Sequence, residues 1–148
     1  MRLAVFFLGA FFSCAVQAQL QVEQPWARAT PPGASVAGGY MTVRNAGAAD
    51  KLVSASSPAA GKVELHVHIN DNGVMRMREV KGGYAIPAKG AFELKPGGAH
   101  LMFVQIARPF KEGDKIPVKL RFEKAGEVNV EFAVGRIGDT APPSAHKH

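Results

Sequence analysis

The chain has 148 residues, of which 47% are hydrophobic and 20% are charged, and its formal net charge at pH 7 is +6. Its lysines and arginines are scattered, and no basic run is interleaved with aromatic residues. The charge therefore favours solubility or an anionic partner surface, and it argues against nucleic-acid binding.

The first 18 residues have the organisation of a secretory signal peptide. Arg2 precedes an apolar stretch, residues 3–16, and Val16-Gln17-Ala18 has the small-residue pattern of a cleavage site. The stretch is shorter than the ~20 residues that span a bilayer, so we expect no stable membrane insertion. Cys14 leaves lipidation as a second interpretation, for which its sequence context is poor. We predict cleavage after Ala18, export to the periplasm and a mature chain without cysteine.

The rest of the chain is typical of an all-β protein. Its 16 glycines and 10 prolines separate short β-rich runs. The predicted strands are Gln21–Ala27, Gly38–Asn45, Lys51–Ser56, Lys62–Ile69, Val74–Val80, Ala91–Leu94, His100–Ile106, Ile116–Phe122 and Val128–Val134. This spacing predicts a single domain, residues 19–139, built as a two-sheet sandwich or a small Greek-key barrel. Residues 140–148 have the composition of a flexible tail.

Soft metal ligands occur in three of these segments, around residues 64–68, 74–77 and 99–102. They are histidines and methionines, and imidazole and thioether suit Cu(I) far better than magnesium, calcium or most zinc sites. A neutral His/Met set also survives in an oxidising compartment, where paired thiols tend to form disulfides.

The turn between the fourth and fifth predicted strands decides which ligands meet. A four-residue loop would place His66 opposite Met77, whereas a two-residue Asn72-Gly73 turn would place His68 opposite Met77. In both registers imidazole and thioether share a face, with Cβ atoms about 5 Å apart. The sequence is compatible with both turn lengths.

His100 and Met102 alternate in one strand, so both side chains lie on the same face. Taken singly, a strand methionine is usually core filling and a strand histidine is usually a hydrogen-bonded surface residue. The joint pattern instead favours a metal site with donors from three strands: His66, Met77, His100 and Met102.

The pattern resembles the PCu(A)C family of periplasmic copper(I) chaperones, whose motif is His, ten residues, Met, twenty-one residues, His, one residue, Met. Here ten residues separate His66 from Met77, but twenty-two separate Met77 from His100. We expect the extra residue in the turn-like segment 81–84. The flanking sequence also resembles the family, at residues 26–33, 39–41, 73–77 and 94–98.

The resemblance implies a cupredoxin-like Greek-key barrel and gives the ligand role to His66, Met77, His100 and Met102. It also implies delivery of Cu(I) to the dinuclear copper centre of cytochrome c oxidase. Subunit II of that oxidase is then the expected acceptor, with Sco-type copper proteins as further partners. Copper scavenging or buffering, for uptake or tolerance, would use the same site and remains an alternative.

Two other functions are disfavoured. A blue-copper electron carrier needs a thiolate ligand, which the mature chain would lack. We also expect no enzyme, since the sequence offers no paired carboxylates and no activated nucleophile.

Four further residues have open roles. His68 is either an additional ligand or, as we favour, a supporting or solvent-facing residue. Met75 is either packing or a capture residue for metal. His146 and His148 form either a solvated end or a Cu(II) site, because imidazoles without thioethers suit the harder oxidised ion.

Overall fold

The computed structural model describes residues 19–143, so the predicted signal peptide, His146 and His148 lie outside the described residues. The described part contains ten strands and no helix. The strands are β1 (Leu20–Ala27), β2 (Val36–Asn45), β3 (Asp50–Ser56), β4 (Ala60–Asp71), β5 (Val74–Glu79), β6 (Tyr84–Ile86), β7 (Gly90–Leu94), β8 (His100–Ile106), β9 (Lys115–Phe122) and β10 (Gly126–Val134).

Seven of these strands form a closed barrel in the order β4, β8, β2, β1, β10, β9 and β3. The barrel closes where Ala55 of β3 pairs with Val63 of β4. The pairing of β1 with β10 is parallel, and the other barrel pairings are antiparallel. The remaining strands are additions to it, because β5 pairs with β4, β6 with β3 and β7 with β2.

The core follows from the alternation of side chains along the strands. In β9 every second residue is buried, from Ile116 to Phe122. Phe103 packs edge-on against both Phe110 and Phe132 inside the barrel. Gly39 permits this packing, since a Cβ there would lie 2.7 Å from Cε2 of Phe103. The aliphatic face of β4, including Val63 and Leu65, joins the same core, which turns its histidines away from the interior.

The prediction of an all-β chain is confirmed, and each of the nine predicted strands has a counterpart. The strand β6 was not predicted, and it spans only three residues between Gly83 and Pro87. The segment 81–84 was expected to be turn-like throughout, but Tyr84 already begins β6. No helix among the described residues is long and apolar enough to cross a membrane.

The β4–β5 hairpin determines where the candidate ligands lie. Asn72 (φ 52°) and Gly73 (φ 87°) both adopt positive φ, as a two-residue type I′ turn requires. Every residue of β5 is exposed. Since β8 begins at His100, opposite His66, the part of β4 beyond His66 pairs with β5 alone among the described strands. The hairpin therefore continues past the start of β8.

Candidate metal site

The four predicted ligands lie on three neighbouring strands. His66 of β4 is paired directly with His100 of β8, and Met102 lies two residues further along β8, on the same face. Met77 of β5 is paired with His68. The two-residue turn is therefore the correct alternative, and the register that placed His66 opposite Met77 is wrong.

His100 is a buried, neutral imidazole whose free lone pair faces a thioether. The residue is 4% exposed, and Nδ1 of its ring lies 3.1 Å from the carbonyl oxygen of Gly98. A carbonyl only accepts, so Nδ1 carries the proton and Nε2 carries the lone pair. That Nε2 lies 3.1 Å from Sδ of Met77. Burial lowers the pKa of His100, and the nearby rings of His68 and His66 lower it further, against the opposing effect of the Gly98 bond.

The neutral ring of His66 also has a free lone pair, although its hydrogen-bond partner differs from that of His100. Its Nε2 lies 2.7 Å from Oε2 of Glu64, and because a carboxylate only accepts, Nε2 carries the proton. In the neutral ring the lone pair is then on Nδ1. That atom is buried and has no hydrogen-bond partner among the described residues. A buried nitrogen without a partner is costly, and a bound cation would satisfy it.

Glu64 is held in place from two sides. Nζ of Lys62 lies 2.5 Å from one carboxylate oxygen, and His66 contacts the other. The bond from Lys62, followed by the bond from His66, lowers the pKa of Glu64. The carboxylate is therefore ionised at neutral pH, and it fixes both the orientation and the tautomer of the His66 ring.

Tyr84 connects the backbones that carry the two histidines. It is buried, and its hydroxyl lies 2.5 Å from the carbonyl oxygen of His66 and 2.8 Å from that of His100. Its ring stacks on Phe92, with centroids 4.9 Å apart. Burial raises the pKa of the Tyr84 hydroxyl, which keeps its proton available for donation.

The donors differ in their access to solvent. Met77 is 48% exposed and Met75 is 58% exposed, whereas His100 is buried and Met102 is half-buried. Met75 therefore does not pack in the core, and its capture role stays a prediction. The site has an accessible side on β5 and a protected side on β8.

The donor set of this face is imidazole and thioether. Among residues 19–143 no group of three or more His, Cys, Asp or Glu side chains is arranged to hold a metal. An ion bound here would thus use Met77 and Met102 together with the histidines, and such a set is typical of Cu(I). The residues present fit this ion, since they include a lone pair facing a thioether and a buried nitrogen without a partner.

Sequence reasoning missed the supporting residues. Glu64 carried a signal, because an i, i+2 spacing puts it on the face of His66. Tyr84 and the carbonyl of Gly98 carried none, since their contacts depend on how β6 and the loop before β8 pack.

Comparison with known proteins identifies the family of the chain. A family model described as LpqE-like, a name given to lipoproteins, matches residues 20–134. A protein of Leifsonia xyli subsp. xyli that is also named as a lipoprotein is 38% identical over 104 residues, which is 70% of this chain. The matched segment spans 61% of the length of the Leifsonia protein.

Solved structures of copper-bound proteins are also similar to this chain. The copper-bound PCuAC domain from PmoF2 has a TM-score of 0.68 and 28% identity, and the match covers 80% of this chain and 94% of that domain. The solution structure of CuI-DR1885 from Deinococcus radiodurans has a TM-score of 0.62 and 29% identity, with coverage of 82% and 83%. The resemblance to the PCu(A)C family and the cupredoxin-like barrel that it implied are confirmed.

Proposed function

Because the chain belongs to the LpqE-like family, which is the PCu(A)C family, we propose that it is a copper chaperone that carries one Cu(I) ion. The ligands are His66, Met77, His100 and Met102. The observation that carries the proposal is the 3.1 Å approach of His100 Nε2 to Met77 Sδ. Two electron-pair donors face each other there without a proton between them, which is the arrangement that a cation would stabilise.

The chemistry of the set suits a carrier. Thioethers have no proton to lose at neutral pH, and they bind Cu(I) without adding negative charge. The neutral state of His100, maintained by burial, removes competition from a proton at Nε2. Met77 is 48% exposed, so the thiolates of an acceptor could reach the ion and replace the donors one at a time.

The acceptor that we propose is the dinuclear copper centre of cytochrome c oxidase, in subunit II, with Sco-type copper proteins as further partners. This part rests on the family resemblance. The lipoprotein-type names of the family and of the Leifsonia relative support a location in the cell envelope, and we propose the periplasm.

Copper binding is tested by X-ray absorption on the purified mature protein loaded with one equivalent of Cu(I). We expect both nitrogen and sulfur scatterers, and no intense blue thiolate absorption after oxidation. A spectrum with only nitrogen or oxygen donors would contradict the proposed site.

Delivery is tested separately, by mixing the loaded protein with a purified copper domain of oxidase subunit II. Transfer of copper to that domain supports delivery. Retention of copper in the presence of this acceptor would favour scavenging or buffering instead, with the same ligands.

A further inference from the structure

His68 has no assigned role, yet its strand pairing and ring position bring it closer to Met77 and His100 than His66 lies. It is paired directly with Met77, whereas His66 is paired with Glu79. Its ring centroid lies 5.0 Å from that of His100, and the corresponding distance for His66 is 5.6 Å. Directly opposed strand residues have Cβ atoms about 5 Å apart, close enough for their side chains to share one ion.

The neighbours of the two histidines also differ. Glu64 contacts His66 and is itself held by Lys62, so the orientation of the His66 ring is fixed. His68 lies beyond the start of β8, on the part of the hairpin that continues past it. Met77, its cross-strand partner, is half exposed. His68 therefore lies beside the exposed thioether of Met77.

We propose that His68, Met77 and His100 form an outer set of three donors through which Cu(I) enters and leaves the site. This inference rests on the proposed copper function. When copper moves inward, the bond from His68 breaks as bonds from His66 and Met102 form. When copper leaves, His68 binds again and keeps the ion coordinated until the acceptor's thiolates replace the protein donors. The ion remains Cu(I) throughout.

Met77 and His100 belong to both sets, which makes the exchange stepwise. Their separation of 3.1 Å places both where they can bind one ion together, so these two donors stay bound while the third is exchanged. The exchange of one imidazole for another on the same face of β4 needs no change in strand register.

The kinetic test uses the substitution His68→Thr, which replaces the imidazole by a β-branched side chain that is favoured in strands. We expect Cu(I) release to a chromophoric Cu(I) chelator, followed by stopped flow, to slow by roughly tenfold, while the equilibrium affinity changes by less than about threefold. The matched control is Glu79→Gln, an exposed change beside the site that removes no Cu(I) donor. An unchanged release rate would overturn the proposal, and so would a loss of affinity as large as that caused by removing His100.

The equilibrium test isolates the outer set. In the variant His66→Gln with Met102→Leu, we expect one weakly bound Cu(I) with two nitrogen donors and one sulfur donor by X-ray absorption. Addition of His68→Thr should weaken this binding by at least tenfold more, measured against the same chelator. If that third substitution has no effect, the outer set does not exist. Failure of the parent protein to bind Cu(I) would instead overturn the proposed function as a whole.

Discussion

Nε2 of His100 and Sδ of Met77 approach to 3.1 Å across two strand boundaries, although they are 23 positions apart in the chain. Neither residue is on the strand next to the other, since β4 lies between β5 and β8. The contact exists because the β4–β5 hairpin continues past the first residue of β8. An exposed thioether is thereby joined to a buried imidazole.

Met102→Leu should weaken Cu(I) binding and leave the fold intact. Leucine and methionine have similar volumes, so the substitution should cost less than about 1.5 kcal/mol of unfolding free energy. The loss of the thioether removes one soft donor, and competition with a Cu(I) chelator measures the effect.

Met41→Leu is the matched control for this substitution. Met41 is 2% exposed in the core, so the same change should leave copper affinity unaltered. Equal affinities of the Met102→Leu variant and the parent would show that Met102 is packing and not a ligand.

The sequence predicted which candidate ligands share a face, but it did not determine how they pair across strands. His66, Met77, His100 and Met102 were identified from residue type and strand alternation, and the structure brings all four to one face of β5, β4 and β8. The pairing of Met77 could not be chosen from residue types. Asn72-Gly73 is compatible with both loop lengths, and the positive φ values at both residues decide for the shorter one.

The strand β6 shows why the rest was not predictable. Three residues between a glycine and a proline form no periodic pattern, so their pairing with β3 is visible only in the closed barrel. Tyr84, which lies in that strand, donates to carbonyls on β4 and β8. Such contacts depend on tertiary packing and leave no local trace in the chain.

Tyr84→Phe should destabilise the barrel and weaken copper binding. The single hydroxyl proton is shared between the backbone carbonyls of His66 and His100, two proposed ligands, and leaving a buried carbonyl without a donor costs about 1–3 kcal/mol. Urea denaturation measures the stability, and chelator competition measures the affinity. The control is Tyr40→Phe, whose hydroxyl lies next to Gly38, whereas the side-chain donor to both histidine carbonyls is Tyr84. Identical effects of the two substitutions would contradict a specific role for Tyr84.

Deletion of residues 140–148 should leave Cu(I) binding unchanged and remove any additional Cu(II) site. The deleted segment contains His146 and His148 but no thioether, whereas the strand-borne set contains two methionines. Titration of full-length and truncated protein with each oxidation state separates the two sites. Loss of Cu(I) binding on truncation would place the tail in the main site, and an unchanged Cu(II) stoichiometry would make it a solvated end.

The stability of the copper-free protein should fall as the pH drops below about 6.5, and His100 should contribute to that fall. Burial lowers the pKa of His100 in the folded state below its ordinary value of 6.5, so in this range the unfolded chain binds more protons than the folded one. Stability that is present above 6.5 is therefore lost as the pH falls towards the pKa of the folded state.

The variant His100→Asn isolates this contribution, because asparagine does not titrate and its amide nitrogen can still donate to the carbonyl of Gly98. Urea unfolding of parent and variant between pH 5 and pH 8 gives the comparison. As the pH falls, the unfolding free energy of the parent should decrease more than that of the variant. A pH-independent difference would mean that His100 has the same pKa in both states, and hence that burial does not disfavour its charged form.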